Sequence, residues 1–229
     1  MSENGLSVGE YLELKKRLKY FKKYAIHMTE SNYDKLHQMI DEVTKSSAAP
    51  KAKGTKFEDV IAFLLDNIDI FNVYQNIRSS TNEMDLVIEL TDIGKSLFHD
   101  SLIDLKGERF IIECKNYDKK IDVTWVGKFY SLINTSNTRL GILISNKGFK
   151  GRGKWESAKG LAKKFYYAKE KSDEKIYILD ITLKELLKLG PNLAFSDLVL
   201  AKINELELDT KYEHFIDKHD AESLLNIEE

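Results

Sequence analysis

Hydrophobic positions along this chain change between helical and strand-like spacing. Apolar side chains that recur three or four residues apart are typical of a helix with one buried face. This spacing predicts core helices over 55–67, 123–134 and 154–168, and a short helix over 183–189. Short apolar runs bounded by polar residues predict five strands, over 73–79, 84–90, 109–116, 140–145 and 175–181. The order of these elements predicts an α/β fold in which helices flank a mixed β-sheet.

The flanking segments predict extensions on either side of this core. Residues 1–46 show helical spacing, and small residues with Pro and Gly predict a linker over 47–54. We therefore expect a core domain over 55–190, followed by an acidic helical extension over 191–229. Residues 91–108 fit either a short helix or a longer hairpin. For the N-terminal helices we favour packing or dimerisation over contact with nucleic acid.

Composition limits the class of protein. Of the 229 residues, 42% are hydrophobic and 31% charged, as in soluble globular proteins. No apolar run approaches the roughly 18–20 residues of a membrane helix, and Lys15, Lys16 and Arg17 fall where a signal-peptide core would lie. We expect a cytoplasmic protein without a membrane partner. The single Cys114 excludes an internal disulfide and a multi-cysteine zinc site, and its apolar strand predicts a buried thiol.

Charge is unevenly distributed, although the net charge is only −2. Residues 116–175 hold 14 basic and 6 acidic side chains, whereas residues 191–229 hold 3 basic and 10 acidic ones. This asymmetry indicates a middle segment that faces a polyanion. A solvated lysine-rich surface explains the same pattern equally well.

The candidate chemistry lies at the ends of two predicted strands. Asp85 stands at the start of the second strand, and Glu113 and Lys115 stand two residues apart on the third. Residues two apart on a strand point to the same face, and charged side chains on apolar strands are costly to bury unless they are paired or hold a metal. If the two strands are neighbours, the three side chains form a site for a hard divalent cation.

Simpler explanations exist for each of these residues. Asp85 and Lys115 fit a cross-strand ion pair, and Glu113 fits an exposed edge strand, although its apolar neighbours disfavour that. Glu58 fits a capping box in which Thr55 is the N-cap residue. A capping role and a catalytic role for Glu58 are equally compatible with the sequence.

The order of these residues resembles the PD-(D/E)XK nuclease superfamily, and most closely its Mrr-like restriction endonuclease group. The resemblance covers about residues 54–181 and rests on Glu58 in a helix, Asp85, the Glu113-Cys114-Lys115 triplet and the segment 142–149. The chain departs from the family in one respect, since Asn82-Glu83-Met84 replaces the usual Pro or Gly before the Asp. The resemblance implies a restriction-endonuclease-like fold.

The resemblance also implies a Mg²⁺-dependent endonuclease that hydrolyses DNA in restriction or defence against foreign DNA. Asp85, Glu113 and the backbone carbonyl of Cys114 would bind Mg²⁺, for which Mn²⁺ can substitute, and Lys115 would act on the attacking water. Glu58 would be an auxiliary catalytic carboxylate. A structure-selective repair nuclease or junction resolvase, and a non-catalytic nucleic-acid-binding module, remain alternatives.

Basic residues near the third and fourth strands are candidates for contact with the DNA backbone. They are Lys119, Lys120, Lys147, Lys150, Arg152 and Lys154. Because duplex DNA has two strands, a nuclease with one site per chain often acts as a symmetric dimer, and we expect a homodimer.

Overall fold

The five predicted strands form one mixed sheet. The computed structural model describes residues 8–47, 49–78, 82–116, 119–151 and 157–216. Its strands are β1 (Phe71–Arg78), β2 (Glu83–Leu90), β3 (Arg109–Lys115), β4 (Leu140–Ser145) and β5 (Tyr177–Thr182). Its α-helices are α1 (Val8–Ile26), α2 (Glu30–Lys45), α3 (Pro50–Asp66), α4 (Asp92–His99), α5 (Val123–Thr135), α6 (Ala158–Tyr167), α7 (Leu183–Leu186) and α8 (Phe195–Leu208).

The strands lie in the sheet in the same order as in the chain. The pairs β1–β2 and β2–β3 are antiparallel, whereas β3–β4 and β4–β5 are parallel. Parallel neighbours require a crossover connection, and α5 and α6 provide the two crossovers. This arrangement confirms the predicted α/β class with a mixed sheet.

Helices cover both faces of the sheet. Ile112 and Ile142 belong to a core cluster that also contains buried residues of α2, α3 and α8. Their neighbours Ile111 and Leu143 face a second cluster built with α5 and α6. Full burial of one such aliphatic side chain contributes about 1.5–3 kcal/mol, so the two clusters hold the carboxyl ends of β3 and β4 in fixed positions.

Helix α5 packs closely against the sheet at Gly141. A Cβ atom at this position would overlap the side chains of Ile133 and Phe129. Glycine therefore allows α5 to pack directly on β4. The N-terminal turn of α5 is thereby brought beside the end of β3, where the candidate chemistry lies.

Helices α3, α6 and α7 differ from their predicted bounds by more than two residues, and α7 ends at Leu186 rather than at 189. Helix α3 begins at Pro50, so residues 50–54, expected in a linker, form its first turns. The reason is that proline favours the first position of a helix, where its missing N–H costs nothing. The ambiguous segment after β2 contains α4, and Ala158 is the first residue of α6, with residues 152–156 outside the described part of the chain.

The N-terminal and C-terminal helices pack to different extents. Helix α2 buries Leu36 and Ile40 in the core, and α8 packs on β5 with Leu198 and Ile203 fully buried. In α1, by contrast, Tyr20 and Tyr24 are exposed. Among the described residues, no helix has both the length and the apolar character needed to cross a bilayer.

Candidate active site

The start of β2 and the end of β3 meet because the two strands are antiparallel. Their pairing ends at Leu86 and Ile112. Asp85 directly precedes Leu86 in β2, and its carboxylate Oδ2 accepts a hydrogen bond of 2.7 Å from the backbone N–H of Cys114. The side chain of Asp85 thus continues the ladder and is held against the strand that carries Glu113 and Lys115.

Lys115 brings the two carboxylates together. Its Nζ atom forms an ion pair with Oε1 of Glu113 and lies 4.0 Å from Oδ2 of Asp85. Because Nζ lies closer to Glu113 than to Asp85, the Glu113 Oε1 and Asp85 Oδ2 atoms are less than 8 Å apart, which is twice the 4.0 Å distance. The three side chains are only 12–18% exposed. The structure therefore assembles the predicted trio in a partly buried cluster.

Trp125, the third residue of α5, supports the lysine. The Lys115 ammonium lies 4.6 Å from the centroid of the indole ring, and that of Lys128 lies 5.1 Å from it. A cation over an aromatic face is stabilised by the ring quadrupole. No local sequence pattern predicts this contact, because it depends on the close packing of α5 on the sheet.

The carboxylates of the cluster are difficult to ionise together. Burial raises the pKa of Asp85, although Lys115 and the Cys114 N–H oppose the shift. Burial, followed by the Asp85 carboxylate, raises the pKa of Glu113. Perturbed carboxylates in a partly open cluster are common at functional sites. Among the described residues, Lys115 is the cation that pairs with these two carboxylates.

Glu58 belongs to the same electrostatic environment. It is half-buried on α3, and burial, followed by the Asp85 carboxylate, raises its pKa. The capping-box interpretation is wrong, because α3 begins five residues before Thr55 and the Thr55 hydroxyl donates to the carbonyl of Lys51, 3.4 Å away, within the helix. Glu58 therefore has no capping role and lies near the cluster.

The residues present fit a divalent metal. The Oε2 atom of Glu113 is buried and has no hydrogen-bond partner among the described residues, which is costly for a carboxylate unless a cation neutralises it. No three Asp, Glu, His or Cys side chains of the described residues form a complete metal-binding group. A hard cation here would use two carboxylates and the Cys114 carbonyl, and would keep several waters, as Mg²⁺ usually does.

Two asparagines extend the site along the sheet edge. Nδ2 of Asn116 donates to the carbonyl of Lys53 at 3.0 Å, and Nδ2 of Asn146 donates to Oδ1 of Asn116 at 2.7 Å. Each asparagine directly follows an apolar strand, β3 or β4. That position directly after a strand is the signal in the sequence that marks them.

The basic loops after β3 and β4 are joined to each other. The N–H of Ile121 donates to the carbonyl of Gly148, and the N–H of Lys150 donates to the carbonyl of Ile121, at 2.9 and 2.8 Å. The four exposed lysines that the structure brings to these loops are Lys119, Lys120, Lys147 and Lys150. Arg152 and Lys154, predicted to bind nucleic acid with them, lie outside the described residues.

Asp180 on β5 fixes the turn that follows β4. Its Oδ2 atom accepts a hydrogen bond of 2.8 Å from the N–H of Phe149, while the hydroxyl of Ser145 accepts one of 2.9 Å from the N–H of Gly148. Gly148 has a φ of +67°, a conformation that glycine adopts without steric cost. The positions of the loop lysines thus depend on a buried carboxylate that the sequence analysis did not identify.

A family model described as a restriction endonuclease, of the Mrr catalytic type, matches residues 50–166. The matched segment runs from α3 to α6 and includes the cluster of Asp85, Glu113 and Lys115. Together with the mixed sheet and its flanking helices, this match confirms the predicted restriction-endonuclease-like fold. No curated protein and no solved structure matches the chain.

Proposed function

The chain belongs to the Mrr-like restriction endonuclease family, and from that premise we propose that it is a Mg²⁺-dependent endonuclease that hydrolyses DNA. One observation supports this most strongly. Lys115 lies between Asp85 and Glu113 in a partly buried cluster in which one Glu113 oxygen has no hydrogen-bond partner among the described residues. Such a combination of excess carboxylate charge and one amine suits phosphodiester hydrolysis better than it suits fold stability.

Asp85, Glu113 and the backbone carbonyl of Cys114 would hold the metal, with Mn²⁺ as a substitute. When bound, the ion lowers the pKa of a coordinated water and neutralises charge on the phosphate. The hydrogen bond from the Cys114 N–H keeps the Asp85 carboxylate in place. Because β3 supplies both Glu113 and the carbonyl, the sheet itself would orient most of the protein ligands.

Lys115 would act on the reacting groups. Its ammonium can donate hydrogen bonds to the attacking water and to the phosphate oxygens that gain charge in the transition state. Contact with the Trp125 ring restricts the lysine to the side of the cluster that faces α5. Glu58, on the opposite core layer, would serve as an auxiliary carboxylate that orients a further water.

The lysines of the joined loops would bind the DNA backbone without reading its sequence. We further propose that the protein acts in restriction or defence and as a homodimer, since cleavage of both strands of a duplex calls for two such sites. Localisation in the cytoplasm, where foreign DNA enters, agrees with this role.

Plasmid cleavage tests the proposal. Supercoiled and linear DNA, each methylated and unmethylated, are incubated with the protein and with Mg²⁺, Mn²⁺ or EDTA. We expect nicked or linearised products with either metal and none with EDTA. Salt-dependent binding of DNA without any cleavage would instead identify a non-catalytic binding module. Cleavage confined to branched DNA would favour a junction resolvase.

A further inference from the structure

A groove of about 600 Å³ lies beside the candidate active site. Its walls come from α2, the start of α3, the loops after β3 and β4, and the region of α7. Lys53 and Lys184, which were not among the predicted nucleic-acid contacts, line it together with Lys120 and Lys147. The groove therefore combines two of the loop lysines with two cations from other parts of the chain.

The groove adjoins the catalytic cluster. Lys115, Ser145 and Thr182 are register neighbours across β3, β4 and β5, and Thr182 lines the groove. With strands about 4.8 Å apart, Thr182 lies about 10 Å from the backbone of Lys115. A nucleic acid strand whose phosphate reaches Lys115 would enter this groove within a few nucleotides.

The walls of the groove are positively charged. Lys120, Lys147 and Lys184 are exposed and Lys53 is half-buried. The acidic residue of the lining, Asp41, is paired with Lys45 at 2.8 Å. The remaining positive charge attracts phosphate groups.

The floor of the groove, in contrast, is apolar. The buried side chains of Ile40 and Leu183 and the 39% exposed side chain of Leu187 line it. The outer surface of a duplex offers phosphates and sugars, while the apolar faces of its bases are stacked inside. An unpaired nucleotide presents both a phosphate and the face of a base.

We propose that this groove binds an unpaired nucleotide of the substrate, close to the phosphodiester bond that is cleaved. The lysines contact its phosphates, and its base lies on Leu183 and Leu187. This inference rests on the proposed nuclease function and adds a substrate class to it. DNA with a single-stranded end or with an extrahelical base supplies such a nucleotide.

Binding measurements in EDTA test the proposal without cleavage. Three labelled DNAs are compared by fluorescence anisotropy: a blunt duplex, the same duplex with a five-nucleotide single-stranded extension, and the same duplex with one extra unpaired base. We expect the protein to bind one of the last two at least about fivefold more tightly than the blunt duplex. The DNA that is preferred identifies the source of the nucleotide.

Two surface variants locate this preference in the groove. Lys184→Gln removes a cation and Leu187→Glu places a charge on the floor; both positions are exposed, so folding is preserved. Each variant should bind all three DNAs with equal affinity. The matched control is Lys95→Gln on α4. This helix follows the carboxyl end of β2 and so lies at the opposite end of the strands from the groove. The control variant should keep the preference for unpaired DNA.

Equal binding of the three DNAs by the unmodified protein, or a preference that both variants retain, overturns the inference. Cleavage is measured separately with Mg²⁺. If the blunt duplex is cleaved and no preference for unpaired DNA exists, the groove proposal fails while the nuclease assignment stands. If the preference exists and no DNA is cleaved, the nuclease assignment fails instead.

Discussion

At the scale of single residues, the described part of the candidate site holds more carboxylates than cations paired with them. Burial is the first cause of the raised pKa of Asp85, Glu113 and Glu58, and the Asp85 carboxylate raises the pKa of the other two further. Lys115 is the cation that pairs with two of them. The additional carboxylates do not stabilise the fold, since buried charges cost free energy unless they are compensated. A bound divalent cation would supply the missing compensation.

Replacement of Glu113 by Gln separates stability from metal binding. Because the raised pKa means that the charged form destabilises the metal-free fold at neutral pH, Glu113→Gln should leave the melting temperature unchanged or raise it by about 2–4 °C. Mg²⁺ should raise the melting temperature of the unmodified protein, because it binds the folded state. It should not affect the variant.

Differential scanning fluorimetry with and without Mg²⁺ measures both effects. Glu89→Gln is a suitable control, since Glu89 pairs with Arg109 at the other end of β3. If Glu113→Gln kept the full response to Mg²⁺, Glu113 would not be a metal ligand.

The three central residues were predictable from the sequence because their positions follow from strand periodicity. Glu113 and Lys115 share a face by their spacing, and Asp85 joins them as soon as β2 and β3 are neighbours. Trp125 and the pair Asn116–Asn146 were not predictable in the same way. Their contacts depend on how α5 and β4 are placed in space, and no local pattern encodes that placement.

At the scale of elements, the turn after β4 connects the sheet to the basic loops. Gly148 adopts a left-handed conformation, and a Cβ atom there would lie 2.7 Å from Oδ2 of Asp180. The Gly148 carbonyl also accepts the N–H of Ile121. The geometry of both loops therefore depends on one glycine and one carboxylate.

Gly148→Ala should destabilise the protein by about 1–3 kcal/mol, because alanine is strained at positive φ and overlaps Asp180. Chemical denaturation measures this loss. Gly127→Ala is the matched control, since no atom lies within 4 Å of a Cβ placed there in α5. In a helix interior that substitution should stabilise by about 0.5–1 kcal/mol. Equal effects of the two substitutions would contradict the assigned role of the turn.

The stability of this turn should depend on pH through Asp180. Burial raises the pKa of Asp180 from 3.8 to about 6, so folding favours the protonated carboxyl. The contribution of Asp180 to the free energy of unfolding is therefore fully present below about pH 4. It is lost as the pH rises through about 6, and the total loss is about 3 kcal/mol. Asp180→Asn removes this pH-dependent part of the free energy of unfolding.

The free energy of unfolding of both proteins, measured between pH 4 and 8, isolates the contribution of Asp180. The difference between the protein and Asp180→Asn should change across this range and level off above pH 7. A constant difference at every pH would show that Asp180 titrates normally in the folded state.

The bounds of the strands and helices show which boundaries the spacing of hydrophobic residues predicts correctly. It predicted all five strands to within two residues, because each strand is an apolar run between polar segments. It failed at the start of α3, where residues 50–54 look like a linker and yet continue the helix from Pro50. Small residues are compatible with either state, and packing of α3 against β1 and α2 decides between them.

At the scale of the whole molecule, the basic loops, the lysine-walled groove and the carboxylate cluster lie at the same end of the sheet. The carboxyl ends of β3, β4 and β5 meet there because these strands are parallel. Under the proposed function, such a surface would draw DNA toward the cluster by long-range attraction. Part of the basic middle segment thus lies at this end of the strands, in Lys119, Lys120, Lys147 and Lys150. Lys159 and Lys163, by contrast, pair with Glu205 and Asp209 of the acidic segment.

Salt dependence of DNA binding tests this edge as a unit. Lys119→Gln combined with Lys150→Gln should reduce the slope of log affinity against log salt by up to about 2, because each phosphate contact contributes about 0.9. Both lysines are exposed and lie outside the groove lining. Anisotropy titrations in EDTA at several salt concentrations measure the slope. A slope equal to that of the unmodified protein would exclude these loops from the DNA interface.

The most direct measurement for the whole account is the rate of Mg²⁺-dependent plasmid cleavage by Lys115→Ala beside Lys128→Ala. Both lysines contact the Trp125 ring, but only Lys115 pairs with the carboxylates. Lys115→Ala should cleave about 10²–10⁴-fold more slowly, with metal-free DNA binding retained, while Lys128→Ala should stay within a fewfold of the unmodified rate. Equal cleavage by both variants would contradict the assignment of this cluster as the catalytic site.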